Sequence, residues 1–326
     1  MSRFGLLESA QQISASLERR RALTTGLLAL ILMVNLVESL LDYSWDWDLG
    51  VWAYNSTAGL VNPNVPSYAV DWVLFGLFVM LVGRLRWRDV GVDWDGLPKA
   101  LLFTLSAWAI YQVGFLVIYG GFMGAPILLN PAWSHTAAGP FTGELIFTFF
   151  FNALWEDAFF KGLLVTQFFL LARRRGWPVG KSLMGSVLGA AIIFAAWHIK
   201  IRLSQGSDSL ILLLGSQADL VLGACIASWL FLRTGSVLVT VGLHSMSNLT
   251  DELRLVAIDG VDFSEPDFWG LSEVAIRKSV PLLIILVVEL HLWRKRRSDA
   301  LPGRQGSGEE SSDTRSGEPG GTQGPA

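Results

Sequence analysis

The sequence predicts an all-α membrane protein: a bundle of about eight transmembrane helices, both termini in the cytoplasm, and a disordered C-terminal tail. Hydrophobic residues make up 52% of the 326 residues and charged residues only 16%. The mean hydropathy is +0.44, which is too apolar for soluble domains of ordinary composition. Long apolar runs recur along the chain, and clusters of basic residues alternate with them as membrane topology requires.

A helix needs roughly 20 residues to cross the bilayer, so each long apolar run is a candidate crossing. The first run follows Arg19, Arg20 and Arg21 and has no small-residue cleavage site, so we expect an anchor and not a cleaved signal peptide. The segments 42–67 and 120–143 are rich in Trp, Pro and Asn, which is typical of loops at the membrane interface. The predicted helices cover residues 22–41, 68–82, 100–119, 144–171, 182–198, 209–232, 236–249 and 279–293.

Basic residues give the orientation of this bundle, because Lys and Arg are enriched in cytoplasmic loops close to helix ends. The clusters assigned to the cytoplasmic side are 19–21, 84–88, 173–181, Arg233 and 294–297. Both termini are then cytoplasmic.

Three regions are predicted along the chain. Residues 1–21 form a cytoplasmic N-terminal segment, and residues 22–297 form the membrane domain. Residues 298–326 are rich in Gly, Ser, Glu and Pro and have few apolar side chains to bury, so this tail is predicted to be disordered.

Charge and cysteine content exclude several classes of function. The formal net charge is −3, and five acidic residues against two arginines in the tail account for it. The membrane domain is therefore neutral, and we expect no nucleic-acid partner. Cys225 is the sole cysteine, so an intrachain disulfide and a cysteine-based metal site are both excluded.

Ionisable and amide side chains are concentrated in three of the predicted helices. A charged group in hydrocarbon costs several kcal/mol unless it is paired, neutralised or hydrated, so such residues are functional candidates. The fourth helix contains NALWEDAFFKG, the fifth ends in FAAWH and the seventh contains HSMSN. The candidates in these three segments are Asn152, Glu156, Asp157, Lys161, Phe194, His198, His244 and Asn248.

Helical spacing divides these candidates into pairs, because residues three or four apart share one face of a helix. Glu156 shares a face with Asn152 and Phe160, and the other pairs are Asp157 with Lys161, Phe194 with His198, and His244 with Asn248. Three helices could therefore direct compact polar pairs toward one interior point. The spacing of Asp157 and Lys161 suits an ion pair that would orient the neighbouring Glu156.

Other intramembrane polar residues are interpreted as structural, since such groups often only form hydrogen bonds between helices. Glu38, Asp71 and His291 lie near predicted helix ends, where water or lipid headgroups are expected to reach them. Glu289 is placed in the same structural class. Asp219, beside Gln217 in the sixth helix, is placed in this class as well, with its particular role left open.

The three motifs EDxxxK, FxxxH and HxxxN, in this order on three helices, are similar to those of the CPBP family. This family is also called the Abi or type II CAAX prenyl endopeptidase family, and its members typically show EExxxR, FxxxH and HxxxN in a bundle of about eight helices. The matching core is residues 144–249. Asp157 stands where the family usually has Glu, and Lys161 where it usually has Arg. Both substitutions keep the charge. Asp157 has a shorter side chain than Glu, and Lys161 lacks the forked guanidinium group of Arg.

The resemblance implies an intramembrane endopeptidase that hydrolyses a peptide bond in a membrane-associated peptide or protein. Glu156 would be the general base, and His198 would orient the attacking water with it. His244 and Asn248 would donate hydrogen bonds to the developing oxyanion. The implied supporting residues are Asp157, Lys161 and Phe194.

A metalloprotease is the alternative mechanism, because Glu156, His198 and His244 could form a His₂Glu zinc site with water in the fourth position. The sequence lacks an HExxH helix, and a ligating Glu156 would leave only Asp157 as a base. The metal-independent mechanism is therefore favoured and no cofactor is expected, with zinc as the open alternative.

The alternative function is a non-catalytic membrane scaffold, or a small-molecule or proton transporter in which Glu156, His198 and His244 form a polar relay. Transporters often carry an internal repeat, and none is detectable here. The expected partners of the protease are its peptide or membrane-anchored protein substrate and the lipid bilayer, and the expected location is a bacterial inner membrane.

Overall fold

A computed structural model describes residues 10–40, 44–130, 138–204, 210–249 and 253–258, together with isolated positions between 279 and 294. The chain divides into two units, Met1–Leu286 and Val287–Ala326, and every element named below belongs to the first. The eighth predicted helix lies largely outside the described residues, and His291 and the predicted tail 298–326 lie wholly outside them.

Helices make up almost all of the described chain. They are α1 (Ala10–Glu18), α2 (Thr25–Leu40), α3 (Ser44–Ser56), α4 (Val65–Val82), α5 (Trp94–Phe122), α6 (138–174), α7 (Val179–Trp197), α8 (Ile199–Ser204), α9 (Leu210–Thr234) and α10 (Val237–Asn248). A short 3₁₀ turn covers Trp87–Val90. Two three-residue strands, β1 (Ile127–Leu129) and β2 (Val256–Ile258), pair in antiparallel fashion with Leu128 opposite Ala257.

Local sequence explains where several helices begin and end. Pro66 stands in the first turn of α4, and Pro98 in the first α-helical turn of α5 after its 3₁₀ start at Trp94–Gly96; a missing N–H costs little at such positions. Gly176 and Gly235 follow α6 and α9 with φ angles of 80° and 70°, in the left-handed region that favours glycine. The amide of Gly235 donates to the carbonyl of Phe231 and closes the last turn of α9.

The all-α membrane class predicted from the sequence is confirmed, whereas the number of eight crossings stays a prediction. Within the described residues, α4, α5, α7 and α9 are long and apolar enough to cross a bilayer, and α2 is a shorter apolar helix. Leucines on α5 such as Leu101, Leu102 and Leu105 are more than half exposed, as expected of side chains that face lipid. Helices of this length and composition are those of an integral membrane protein.

The structure differs from the sequence prediction in two segments. Helix α3 lies inside the segment 42–67, for which a loop is predicted; no proline interrupts Ser44–Ser56, and Pro63 and Pro66 come only after it. Strands β1 and β2 were not predicted, and a three-residue strand is too short to show a recognisable period in the sequence.

Helix α6 is longer than predicted and is the central element of the structure. It runs without a break through Ala138–Ile146, Phe147–Ala153, Leu154–Glu156, Asp157–Leu164 and Val165–Arg174. The second and fourth of these segments are π-helical, and the junction residue Glu156 keeps ordinary helical angles of −59° and −43°. Every side chain from Asp157 to Leu164 is buried. Because π turns are rare and frequent at functional sites, they single out this part of α6.

The N-terminal helix α1 packs on the C-terminal end of α6. It buries Ile13 and Leu17, and the Arg173 guanidinium donates to the Glu18 carboxylate at 3.0 Å. This hydrogen bond lowers the pKa of Glu18 from its usual value. The amide of Leu23 donates to Gln167 Oε1 at 2.8 Å, so the chain entering α2 is also fastened to α6.

Close backbone contact fixes α6 against the 3₁₀ turn. A Cβ atom added at Gly162 would overlap the carbonyl oxygen of Val90. This oxygen belongs to the backbone, so it cannot rotate away as the end of a flexible side chain could. We therefore expect Gly162→Ala to lower the free energy of unfolding by about 1–3 kcal/mol, the usual cost of overpacking. Thermal unfolding in detergent micelles, followed by circular dichroism, measures this effect.

Gly215→Ala on α9 is the matched control, because an added Cβ there meets no atom within 4 Å. In a helix this change should be neutral or stabilising. Equal melting temperatures for the two variants would show that the contact at Gly162 imposes no constraint.

Candidate active site

The carboxylate of Glu156 lies at the centre of a polar cluster formed by α4, α6, α7 and α10, and its side chain is almost fully buried. Its Oε1 atom accepts hydrogen bonds from Asn152 Nδ2 at 2.7 Å and from the Tyr68 hydroxyl at 3.2 Å. Its Oε2 atom is buried and has no hydrogen-bond partner. One oxygen is therefore held in place while the other is left available.

Both histidines face the available oxygen of Glu156. His244 Nε2 lies 3.7 Å from Glu156 Oε2, and His198 Nε2 lies 3.9 Å from the same atom. The opposite ring nitrogen of His198 is 2.8 Å from the Phe194 carbonyl, and that of His244 is 2.9 Å from Asp157 Oδ1. A carbonyl and a carboxylate only accept, so each Nδ1 carries a proton, and the Nε2 atom of each ring faces the cluster.

Asp157 and Lys161 form a buried ion pair on α6. The same Oδ1 atom of Asp157 accepts from His244, so this pair orients the imidazole of His244. The sequence predicted instead that the pair would orient Glu156. Because consecutive residues on a helix diverge by about 100°, Asp157 points to α10 while Glu156 also reaches α4 and α7.

Asn248 joins the cluster through Asn152. Its Nδ2 atom donates to Asn152 Oδ1 at 2.8 Å, and Asn152 in turn donates to both Glu156 and the Tyr68 hydroxyl. An amide nitrogen has two hydrogens, so Asn248 keeps one N–H free for another acceptor. The helix pairs predicted from spacing are thus brought together by α6, α7 and α10.

Aromatic rings enclose the cluster on one side. The Phe194 ring lies 4.4 Å from the His198 ring and 5.1 Å from Phe160, measured between centroids. Lys161 Nζ lies 5.2 Å from the centre of the Phe194 ring, within cation–π range. Trp155 stacks on Phe159 behind Glu156 at 5.6 Å. These contacts hold the histidines in place and exclude bulk water from this side.

A cavity of about 180 Å³ adjoins the other side of the cluster. His244, Asn248, Lys161 and Thr240 line it, and apolar residues of α5 and α9 form most of the remaining wall. Asp219 is partly exposed on α9 and does not line this cavity.

Two Nε2 atoms and one carboxylate oxygen are the donor set that a His₂Glu zinc site would use. Tetrahedral zinc with bonds near 2.0–2.2 Å places its ligand atoms about 3.4 Å apart, which is closer than the two separations measured here. Across the described residues, no group of three or more His, Cys, Asp or Glu side chains is arranged to hold a metal ion. The ligand atoms are thus spaced more widely than a zinc centre needs, and no step below is derived through a metal ion.

Tyr68 belongs to the cluster but was not identified from the sequence. It begins the predicted second helix, where an aromatic residue is typical of the membrane interface. The structure instead places its hydroxyl between Glu156 and Asn152 and its ring edge-on to Trp155 at 6.2 Å. The signal available in the sequence was a tyrosine three residues before Asp71 in an apolar run. That pattern fits a residue at the membrane interface equally well.

Comparison with protein families supplies independent evidence. Residues 138–250, about a third of the chain, match the profile of the family described as type II CAAX prenyl endopeptidase Rce1-like. Comparison with curated proteins and with solved structures gives no significant match. The matched segment contains Glu156, His198, His244 and Asn248. The family resemblance predicted from the three motifs is therefore confirmed, and it lies with the Rce1-like type II CAAX prenyl endopeptidases.

Proposed function

We propose that this protein is an intramembrane endopeptidase that hydrolyses a peptide bond in a membrane-associated peptide or protein, with Glu156 as general base and no metal ion. The observation that carries the proposal is the unpartnered Oε2 atom of Glu156, buried and facing the Nε2 atoms of His198 and His244. A water about 2.8 Å from each of these atoms would bridge gaps of this size.

The attacking water is held between Glu156 and His198 in this mechanism. His198 Nε2 accepts one of its hydrogens, and Glu156 Oε2 takes the other proton as the oxygen attacks the carbonyl carbon of the substrate. The C–N bond then breaks, and Glu156 returns this proton to the departing amine. Because Tyr68 and Asn152 occupy Oε1, the base acts through one defined oxygen.

The oxyanion is stabilised by His244 and Asn248. His244 uses its Nδ1–H on Asp157, so it donates from Nε2 when the ring is an imidazolium. With His244 charged, two positive groups balance the two carboxylates of Glu156 and Asp157, and the buried cluster is neutral. Asn248 supplies its free N–H, and one such donor is typically worth about 10² to 10³ in rate.

The substrate class follows from the cavity and the membrane. His244 and Asn248 line the cavity of about 180 Å³, whose remaining wall is mainly apolar, so the residue beside the scissile bond is apolar. The family description names a prenyl endopeptidase acting on CAAX sequences, and a prenylated peptide is accordingly the first substrate to test. We place the protein in a bacterial inner membrane, and neither nucleic acid nor a cofactor takes part.

Glu156→Gln tests the base. The amide keeps the shape of the carboxylate but cannot take a proton, so cleavage should fall by at least about 10²-fold while the melting temperature changes little. The assay incubates purified protein with CAAX peptides, with and without a prenyl group, and with membrane-protein peptides, and reads products by mass spectrometry.

Glu144→Gln is the matched control on the same helix, because Glu144 accepts hydrogen bonds from Asn62 and Thr148 outside the cluster. It should retain full cleavage. Full activity of Glu156→Gln would end the assignment of the base, and wild-type protein that cuts none of the peptides while well folded would favour the scaffold or transporter.

Tyr68→Phe tests the positioning of Glu156 Oε1. It removes one hydrogen bond to a charged group, worth about 1.5–3 kcal/mol, while the ring keeps its contacts with Phe147 and Trp155. We expect kcat to fall by about 10- to 100-fold with KM little changed, as measured in the same cleavage assay. Tyr54→Phe on α3 should leave kcat unchanged, and equal rates for both variants would show that the Tyr68 hydroxyl has no positioning role.

Metal removal separates the two protease mechanisms. We expect purified protein to keep its activity after dialysis against a chelator, with no stoichiometric zinc in elemental analysis. One zinc per chain that is removed together with activity and restores it on addition would refute the glutamate mechanism and establish a metalloprotease.

A further inference from the structure

A second pair of buried carboxyl groups lies outside the Glu156 cluster. Glu38 on α2 and Asp71 on α4 are only 8% and 5% exposed. The sequence predicted that water or headgroups would reach both residues near helix ends, and this prediction was wrong because neighbouring helices cover them. Their carboxyl groups instead lie close enough to each other for a hydrogen bond between them.

A hydrogen bond between two carboxyl groups requires a proton. An ionised carboxylate only accepts, whereas a protonated carboxyl has one O–H to donate. Two ionised carboxylates side by side in an apolar interior would also repel each other at low dielectric. The contact between Glu38 and Asp71 therefore implies one shared proton.

A small cavity of about 20 Å³ lies beside this pair, lined by Asn35, Asp71 and Trp155 together with apolar side chains. Two polar atoms of its lining residues, Asp71 Oδ1 and Trp155 Nε1, are fully buried and have no hydrogen-bond partner. One is an acceptor and the other a donor. A cavity needs about 10–15 Å³ to hold a water molecule, and a water needs two or more polar partners, so both conditions are met.

We propose that Glu38, Asp71 and Trp155 form a second polar site, which binds one water molecule and one proton shared by the two carboxyl groups. The water accepts from Trp155 Nε1–H and donates to Asp71 Oδ1, while the proton joins Asp71 to Glu38. The site links α2, α4 and α6 by polar contacts.

A metal cation is a poorer occupant of this site than water. The Trp155 N–H presents the positive end of its dipole, which would repel a cation. The hydrogen bond between Glu38 and Asp71 also uses lone pairs that a cation would need. Water satisfies the donor and the acceptor together.

The site lies beside the candidate active site and shares with it only Trp155, whose ring belongs to the aromatic enclosure of the Glu156 cluster. Trp155 directly precedes Glu156, and Asp71 follows Tyr68 by one turn of α4. The titratable groups that face Asp71 are Glu38 from α2, Glu156 from α6 and Tyr68 from its own helix. With the proton bound, the pair carries at most one negative charge beside Glu156.

Infrared spectroscopy of the substrate-free protein in lipid nanodiscs tests the proposal at neutral pH and requires no peptidase activity. We expect a protonated-carboxyl band that shifts in D₂O and is lost in both Glu38→Gln and Asp71→Asn, because the new amide donates to the remaining carboxylate. Trp155→Phe should shift this band, since the water loses its donor. Glu144→Gln is the control and should leave the band unchanged.

Several outcomes would overturn the proposal. A wild-type protein without the band has no shared proton, and a band that survives both single variants belongs to another carboxyl group. A band that Trp155→Phe leaves unshifted would exclude the water link. Loss of the band when sodium chloride replaces choline chloride would show that a cation, and not a proton, occupies the pair. Where one carboxyl variant fails to fold, loss of the band in the other still assigns it, and an absent wild-type band overturns the proposal without any variant.

Discussion

The different surroundings of the two oxygens of Glu156 are the constraint on which the rest of the site depends. Oε1 is held by Asn152 and Tyr68, whereas Oε2 is buried and unpartnered opposite both imidazoles. A carboxylate with both oxygens bonded would be a structural anchor, and one with neither bonded would rotate. The asymmetry requires α4 and α10 to lie against α6. Tyr68 on α4 donates to the Glu156 carboxylate, and Asn248 on α10 donates to Asn152, the amide partner of that carboxylate.

Charge balance explains why the remaining polar residues accompany Glu156. Asp157 is fully buried, and an isolated charge there would be very costly, so Lys161 lies against it. The same carboxylate then orients His244. The pair thus serves both stability and geometry. The Phe194 ring adds a cation–π contact to the same ammonium group.

Sequence reasoning predicted the local parts of this arrangement well and the contacts between helices less well. Spacing along one helix was enough to pair Asn152 with Glu156 and Asp157 with Lys161, because helical geometry is regular. Tyr68 and the contact between Glu38 and Asp71 could not be predicted, since each joins residues that are remote in sequence. Helix α3 and the two short strands were missed because aromatic-rich loops and three-residue strands carry little periodic signal.

Under the proposed function, the position of the large cavity limits the shape that a substrate can adopt. His244 and Asn248 line this cavity, whereas Glu156 and His198 lie behind them. A peptide that enters from the cavity meets the hydrogen-bond donors first and the base second, so it approaches with its carbonyl oxygen foremost. In an intact helix that oxygen is already bonded to an amide four residues further on. The proposed mechanism therefore requires a membrane-spanning substrate to unwind locally before cleavage, and it favours bonds near chain ends, glycines or prolines, where helical structure is weakest.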